Sequence, residues 1–493
     1  MNEKELKRPT IGMALLPISI ALLIFIGGIG VLKFQAELML IMAGVVFAIF
    51  AIFYGHKWDK IISVMGEKIK TALPAILILF SIGLIIGTWM ISGTIPFFVY
   101  YGLEMINPAY LYVMAFIVTA IVSTCVGTSW GAAGTIGVAL MSVAQTMDLP
   151  MAITAGAVVS GAYFGDKLSP LSDTTNMSSL AAGSNLYEHI KHMIYTALPS
   201  SIIALVVFYF VGLQIETNSG QLTDIQETLS AIEQLFNLNI LVLLPAIIVI
   251  AGSLMKKPPL IVLFSSSVTA MVIALIFQNA SISNVFTAAV EGFNVEMITF
   301  SLSGLDSSVL SEDMQGLLNR GGLYSMYNAT FFVFCAFFFA SALEVSQALN
   351  IVLEKVIMYL KSVGSVIFAS LITGFAVINC TSNALVTYFL IKDIYGDVYK
   401  KKNLHPVNLS RSMEDSITIT EALMPWTVSG VFMATTLGVG NFEFLPWAIF
   451  NLGGVVFSAL YGFLAPYTGG FGIRKLNEDK PLEDSEASSK KVI

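Results

Sequence analysis

Charge is scarce in this chain. Only 12% of its 493 residues are Asp, Glu, Lys or Arg, against 56% hydrophobic. A mean hydropathy of +0.81 lies outside the range of soluble domains. Cysteine and histidine are scarcer still. Cys125, Cys335 and Cys380 lie in or at the ends of apolar segments, a spacing that belongs neither to a disulfide framework nor to a metal site. His56, His189, His192 and His405 are expected in polar loops, which leaves no general base in view. The first apolar stretch lacks a small-residue cleavage site and reads as a retained span rather than a signal peptide.

What the chain has in abundance is apolar windows of roughly 17–25 residues, the length that crosses a ~30 Å hydrocarbon core. They recur from 11–31 to 444–464, and about twelve of them are expected to cross. The expected fold is an all-α polytopic membrane protein. Lys and Arg mark the cytoplasmic loops. They cluster before the first span (Lys4, Lys7, Arg8), after the second (Lys57, Lys60, Lys68, Lys70) and again near 191, 256–257, 355–361 and 474–480, whereas 214–237 and 278–319 carry none. Both termini are therefore expected in the cytoplasm of a multi-pass cell-membrane protein. Two amphipathic stretches, 56–70 and 344–362, read as helices lying on the membrane surface.

The features of the first half recur in order in the second. "LLPISI" (Leu15–Ile20) is matched by "LLPAII" (Leu243–Ile248), "STCVGTSWG" (Ser123–Gly131) by "INCTSNA" (Ile378–Ala384), and "GDKLS" (Gly165–Ser169) by "EDSIT" (Glu414–Thr418). Their spans run in opposite directions, as expected of two inverted repeats in a secondary transporter. The expected organisation is a cytoplasmic tail (1–10), a first repeat (11–213), an extracytoplasmic linker (214–237), a second repeat (238–472) and a disordered cytoplasmic tail (473–493).

The segment "YFGDKLSPLSDTTN" (Tyr163–Asn176) spends two Asp, a Lys and a Pro directly after an apolar run. Three charges at a helix centre cost on the order of 8–10 kcal/mol on the insertion scale, so the segment cannot face lipid. Pro170 removes a backbone donor and breaks the helix. Two carboxylates, hydroxyls and freed carbonyls form the ligand set of a hard cation, and intramembrane acids are functional by default. "GTSWGAAGTIG" (Gly127–Gly137) supplies a glycine-rich partner with hydroxyls at Thr128 and Ser129. Its G-x-S-x-G match lacks the strand–turn–helix context of a hydrolase. "SRSMEDSITITEALMPW" (Ser410–Trp426) adds Glu414, Asp415 and Glu421; Arg411, one turn before Asp415, suits a simple pair. Lys167 reads either as a fixed internal counter-charge or as a residue that snorkels to the interface.

"GDKLSPLSDTTN", preceded by "GTSWGAAGTIGVALM" and followed by "EDSITITEALMPW", resembles the NhaC family of Na+/H+ antiporters, over roughly Pro9 to Gly472. The resemblance implies a fold of the ion transporter superfamily, with inverted repeats, re-entrant hairpins and a moving transport unit. It also implies exchange of internal Na+ for external H+ across a bacterial cytoplasmic membrane. By position it puts Asp166, Ser169 and Asp173 in the ion site, with Thr128 and Ser129 nearby; the repeat adds Thr381, Ser382, Asn383 and Asp415. Asp166 or Asp173, desolvated and beside another acid, would then hold a proton near neutral pH until Na+ displaces it.

Close relatives of that family exchange malate for lactate with Na+ and H+, so an organic-acid antiporter is the alternative. There, Arg411 and Lys167 are the candidate anion clamp. A channel would need a pore-lining ring motif that the chain lacks. An antiporter, not an enzyme, is expected, without cofactor or nucleic-acid partner. Na+ and H+ are its cargo, the lipid bilayer its solvent, and a homodimer would be in keeping with it.

Overall fold

The computed structural model describes residues 9–25, 27–28, 32, 34–105, 107–215, 219–255, 257–297, 319, 321–357, 362–382 and 384–476. These form helices throughout, with no strand among the described residues. In the first half they are α1 (Ile11–Ile24), α2 (Ala36–Phe53), α3 (Trp58–Ile91), α4 (Thr94–Met105), α5 (Leu111–Val126), α6 (Ser129–Ala132), α7 (Val138–Thr146), α8 (Met151–Leu168), α9 (Asp173–Ala182) and α10 (Leu186–Leu213). The second half continues with α11 (Ser219–Leu235), α12 (Leu244–Leu254), α13 (Pro259–Phe277), α14 (Ile282–Val290), α15 (Tyr327–Ser346), α16 (Ala348–Ile357), α17 (Val363–Thr381) and α18 (Ala384–Lys401). It closes with α19 (Pro406–Met413), α20 (Ile419–Glu421), α21 (Val428–Leu437), α22 (Asn441–Phe444) and α23 (Ile449–Leu464).

The architecture is that of an all-α polytopic membrane protein. Four described helical spans are long and apolar enough to cross a bilayer, or seven if each sharply bent pair counts as one span. The bends are 70° at α3–α4, 96° at α11–α12 and 85° at α21–α22. α10 shows the inverted burial that a bilayer imposes. Leu198, Ile202, Val206 and Phe210 form an exposed stripe at four-residue spacing, while Thr196, Ser200 and Ala204 on the other face are buried. Lipid is as apolar as leucine, so helices associate through small and hydroxyl-bearing faces.

α3 corrects one expectation. The stretch 56–70 is not a separate surface helix, because 58–70 is the start of one continuous 34-residue helix, about 50 Å long at 1.5 Å per residue. The excess over a ~30 Å core lets its basic end project beyond the hydrocarbon. Lys68 there pairs with Glu344 at the end of α15 (2.7 Å), so the two amphipathic stretches are joined. Most of the polar stretch 291–320 lies outside the described residues.

α5 and α8 make the close contact that positions the site. Gly161 and Gly165, one turn apart on α8, lie against the α5 backbone at Phe116 and at Ala120–Thr124, where any side chain would collide. Ser123 Oγ also donates to Ala162 O across the seam (2.6 Å). Small residues four apart are what allow two backbones to approach this closely. Gly165→Leu is expected to push α8 off α5, at an overpacking cost of about 1–3 kcal/mol. A lowered Tm of the detergent-purified protein, with loss of transport, would register it; an unchanged Tm would show that the seam can open freely.

Candidate functional site

Two polar breaks face each other across α5 and α8. The first follows α5, where Gly127 adopts a left-handed conformation (φ 75°). Thr128 is then extended and Ser129 starts α6. A π-helical turn over Ala133–Gly137 joins α6 to α7. The second break follows α8. As Pro170 requires, the helix ends at Leu168, Ser169 is extended, and Ser172 caps α9 through its side chain. Thr175 Oγ1 donates to the freed carbonyls of Asp166 and Lys167 (both 3.2 Å). Asn176 Nδ2 donates to Pro170 O (2.9 Å) and Ser172 O (2.7 Å). The opening motif is therefore a broken helix whose own amide and hydroxyl groups tie up part of the released backbone.

Asp166 lies between the breaks. Its side chain is buried and accepts a hydrogen bond from Ser129 Oγ at 3.0 Å. Thr128 beside Ser129 is half-buried. Ser169 is buried but spoken for: it donates to Thr124 O (2.8 Å) and accepts from Leu171 N (3.2 Å), which closes the break against α5. Asp173 is the first residue of α9 and is exposed. A helix N-terminus favours a carboxylate there, but burial does not act on it, so of the two acids only Asp166 is desolvated.

The second-half residues divide. Asp415 sits in a π-helical turn, Glu414–Thr418, between α19 and α20. It is fully buried and forms an ion pair with the equally buried Lys167 of α8, while Thr196 Oγ1 of α10 donates to it (3.2 Å). Arg411 faces its other oxygen at 4.0 Å and donates to Gly472 O. Lys167 is thus an internal counter-charge and does not snorkel. "GDKLS" and "EDSIT" meet in space through Lys167 and Asp415, and Gly454 on α23 leaves them the room, its missing Cβ lying 3.1 Å from Asp415 Oδ1. Thr381 bonds the hydroxyl of Thr387 (2.6 Å), and Ser382, left-handed at the end of α17, donates to Trp426 O (3.4 Å). Asn383 lies outside the described residues.

Several buried polar groups were not singled out from the sequence as site residues. Glu414 is fully buried. Asp166, Lys167, Ser178 and Thr418 are its neighbours. Glu421 is buried beside Ser429. Tyr163 and Tyr388, both buried, lie within electrostatic reach of Asp166 and Glu421. The signal available was the acid spacing in "SRSMEDSITITEALMPW"; the π turn over Glu414–Thr418 carries no sequence mark.

The histidine expectation fails for two of four. His189 and His192 are on α10 and buried, because Asn185 caps that helix ahead of them. His189 bonds Ser410 Oγ (2.7 Å) and Ser178 Oγ (3.2 Å), and His192 bonds Asn408 Oδ1 (3.2 Å). Among the described residues no three His, Cys, Asp or Glu side chains converge on a metal position. A cation here would have to be held by one carboxylate with hydroxyl and carbonyl oxygens, a set that suits a weakly bound hard ion in transit.

The pattern of the Na+/H+ antiporter family matches residues 161–465, the stretch that begins with the GDKLSPLSDTTN break and ends after α23. An uncharacterized Na+/H+ antiporter of Haemophilus influenzae is 43% identical over 474 residues, 96% of this chain and 98% of its own. The Na+/H+ antiporter NhaC of Alkalihalophilus pseudofirmus is 33% identical over 470 residues, 95% of this chain and 98% of its own. The malate-2H+/Na+-lactate antiporter of Bacillus subtilis is 30% identical over 468 residues, 95% and 97% of the two chains. The resemblance read from the broken-helix motif is thereby borne out over nearly the whole length. A multi-pass helical membrane protein whose buried acids gather at broken helices, the chain belongs to the Na+/H+ antiporter family.

Proposed function

We propose that this protein exports Na+ in exchange for external H+ by alternating access, with Asp166 as the carboxylate that binds the two in competition. One observation carries the reading: Asp166 is a buried acid held by Ser129 at the point where two interrupted helices face each other. A desolvated carboxylate favours its neutral form. Na+ arriving with the oxygens of Thr128, Ser129 and the broken backbone favours the ionised form and expels the proton. Because one group serves both ions, occupancy is exclusive, and exchange follows when the loaded unit changes sides. Asp173, exposed at the start of α9, serves as an approach site rather than the exchange site. Two inverted repeats, with both termini cytoplasmic, supply the scaffold in this reading.

The malate/lactate relative keeps organic-acid exchange as the second reading. Against it, the two buried cations that could clamp a carboxylate, Lys167 and Arg411, both already face Asp415. Energised inverted membrane vesicles separate the two. Collapse of the pH gradient on addition of Na+ alone, and not of K+, is expected. A response that requires malate and lactate on opposite sides would overturn the cation/proton reading.

A further inference from the structure

Beyond the ion site, a line of hydrogen-bonded groups runs from the surface to Ser178, beside the buried Glu414. It starts at the turn between α9 and α10, where half-buried Ser184 lies between exposed Gly183 and Asn185. Ser184 Oγ donates to Ser410 Oγ of α19 (3.2 Å). Ser410 Oγ bonds His189 Nδ1 (2.7 Å), and His189 Nε2 bonds Ser178 Oγ of α9 (3.2 Å). Ser178, whose hydroxyl also donates to Thr175 O (3.2 Å), stands with Thr418 beside the fully buried Glu414 carboxyl. His189 is the only member that can take a proton on one atom and release it from another, since the two nitrogens of a neutral imidazole differ in role. The charged groups that face it are Lys167 from α8 and Arg411 from α19, with His192 on its own helix. With a serine hydroxyl on each ring nitrogen, His189 is placed to pass a proton on rather than to store it.

We propose that Ser184, Ser410, His189 and Ser178 form a proton relay that connects Glu414 to the aqueous surface at the α9–α10 turn. This rests on the Na+/H+ reading above, in which Asp166 holds the exchanged proton: Glu414, a neighbour of Asp166, passes that proton between Asp166 and the relay. The step balances. When Glu414 gives up its proton, Ser178 Oγ accepts it and passes its own to His189 Nε2. His189 Nδ1–H then passes to Ser410 Oγ; once the Ser184 hydroxyl has turned from donor to acceptor, the Ser410 proton moves to Ser184 Oγ, whose own proton goes to water. One proton leaves Glu414 and one appears at the surface; rotation of the hydroxyls and a tautomer change reset the line. The same steps reversed load Glu414. A buried histidine that only braced α9 against α19 would need both hydrogen bonds but not the carboxyl at the end of the line.

The test uses the purified full chain in liposomes, with two fluxes measured on the same preparation. Radioactive Na+/Na+ exchange requires no proton transfer, whereas Na+-driven H+ movement does. In His189→Gln, which can still hydrogen-bond but cannot relay, H+ movement is expected to slow at least about tenfold. Na+/Na+ exchange should stay at the wild-type rate, and millimolar imidazole added outside should restore part of the H+ flux. Ser178→Ala and Ser410→Ala, milder for folding, should show the same split to a smaller degree. An equal fall of both fluxes in all three variants, or unchanged H+ movement in them, would overturn the relay. Wild-type liposomes that exchange Na+ for Na+ but never move H+ would instead overturn the Na+/H+ reading, and the relay with it.

Discussion

Asp166→Asn is expected to reduce Na+-driven proton movement below about one hundredth of the wild-type rate, the loss that follows when a positioned proton carrier is removed. The amide keeps the shape and can still bond Ser129 across the 3.0 Å contact, so insertion and folding should survive. What it loses is the negative charge that holds Na+ and the site that holds H+. Asp173→Asn is the sharp comparison. That residue is exposed at the start of α9, where a carboxylate is worth only ~0.3–1 kcal/mol to the helix. Its variant should therefore remain within about fivefold of wild type. A loss confined to Asp173→Asn would place the exchange at the exposed acid instead, equal loss would make both acids part of it, and wild-type activity in both would remove the site from this break altogether.

The second large effect concerns the ion pair between the two matched motifs. Asp415 faces two buried cations, Lys167 and Arg411, so the consequences of removing each partner are unequal. Asp415→Asn leaves both cations buried without their counter-charge and is expected to destabilise by about 3–5 kcal/mol. Lys167→Met leaves Arg411 to face Asp415 and should cost clearly less. The Lys167→Met/Asp415→Asn double variant should be more stable than the sum of its parts predicts, with a coupling of more than about 1 kcal/mol. Thermal unfolding of the detergent-purified proteins checks this. If the two single variants cost the same and simply add, Lys167 and Asp415 are not a coupled pair. Transport rates of the double variant then bear on whether the pair is a brace between moving parts or part of the exchange itself.

Membrane class, helical content and the location of the first break were legible in the residues because each depends on local chemistry. Too little charge for a soluble surface, apolar runs of spanning length and a proline after GDKLS need no knowledge of distant partners. The left-handed turns at Gly127 and Ser382 fall where two polar motifs had been matched. Other expectations followed sequence spacing and were changed by three dimensions. Stretch 56–70 read as an independent amphipathic helix because its charge pattern does not tell that the helix continues to Ile91. His189 and His192 read as loop residues from the polar letters around them, yet α10 starts at Leu186 and turns both inward.

Composition and pattern by themselves determined that this chain lives in a bilayer, that its acids cluster at broken helices, and that its motifs are those of its family. Only the tertiary structure decided which acid is which. Asp166 and Asp173 are near-equivalent letters in one motif, but one is buried near the end of α8 against Ser129 of α6 and the other sits at an exposed helix start. Asp415, matched to Asp166 by its motif, is neutralised by Lys167 from the other half of the chain, while Glu414 beside it is buried among the hydroxyls of Ser178 and Thr418. The physical reason is that a carboxyl group's behaviour is set by desolvation and by charges within a few ångströms. Those neighbours come from segments hundreds of residues apart, whose approach is specified by packing rather than by local sequence.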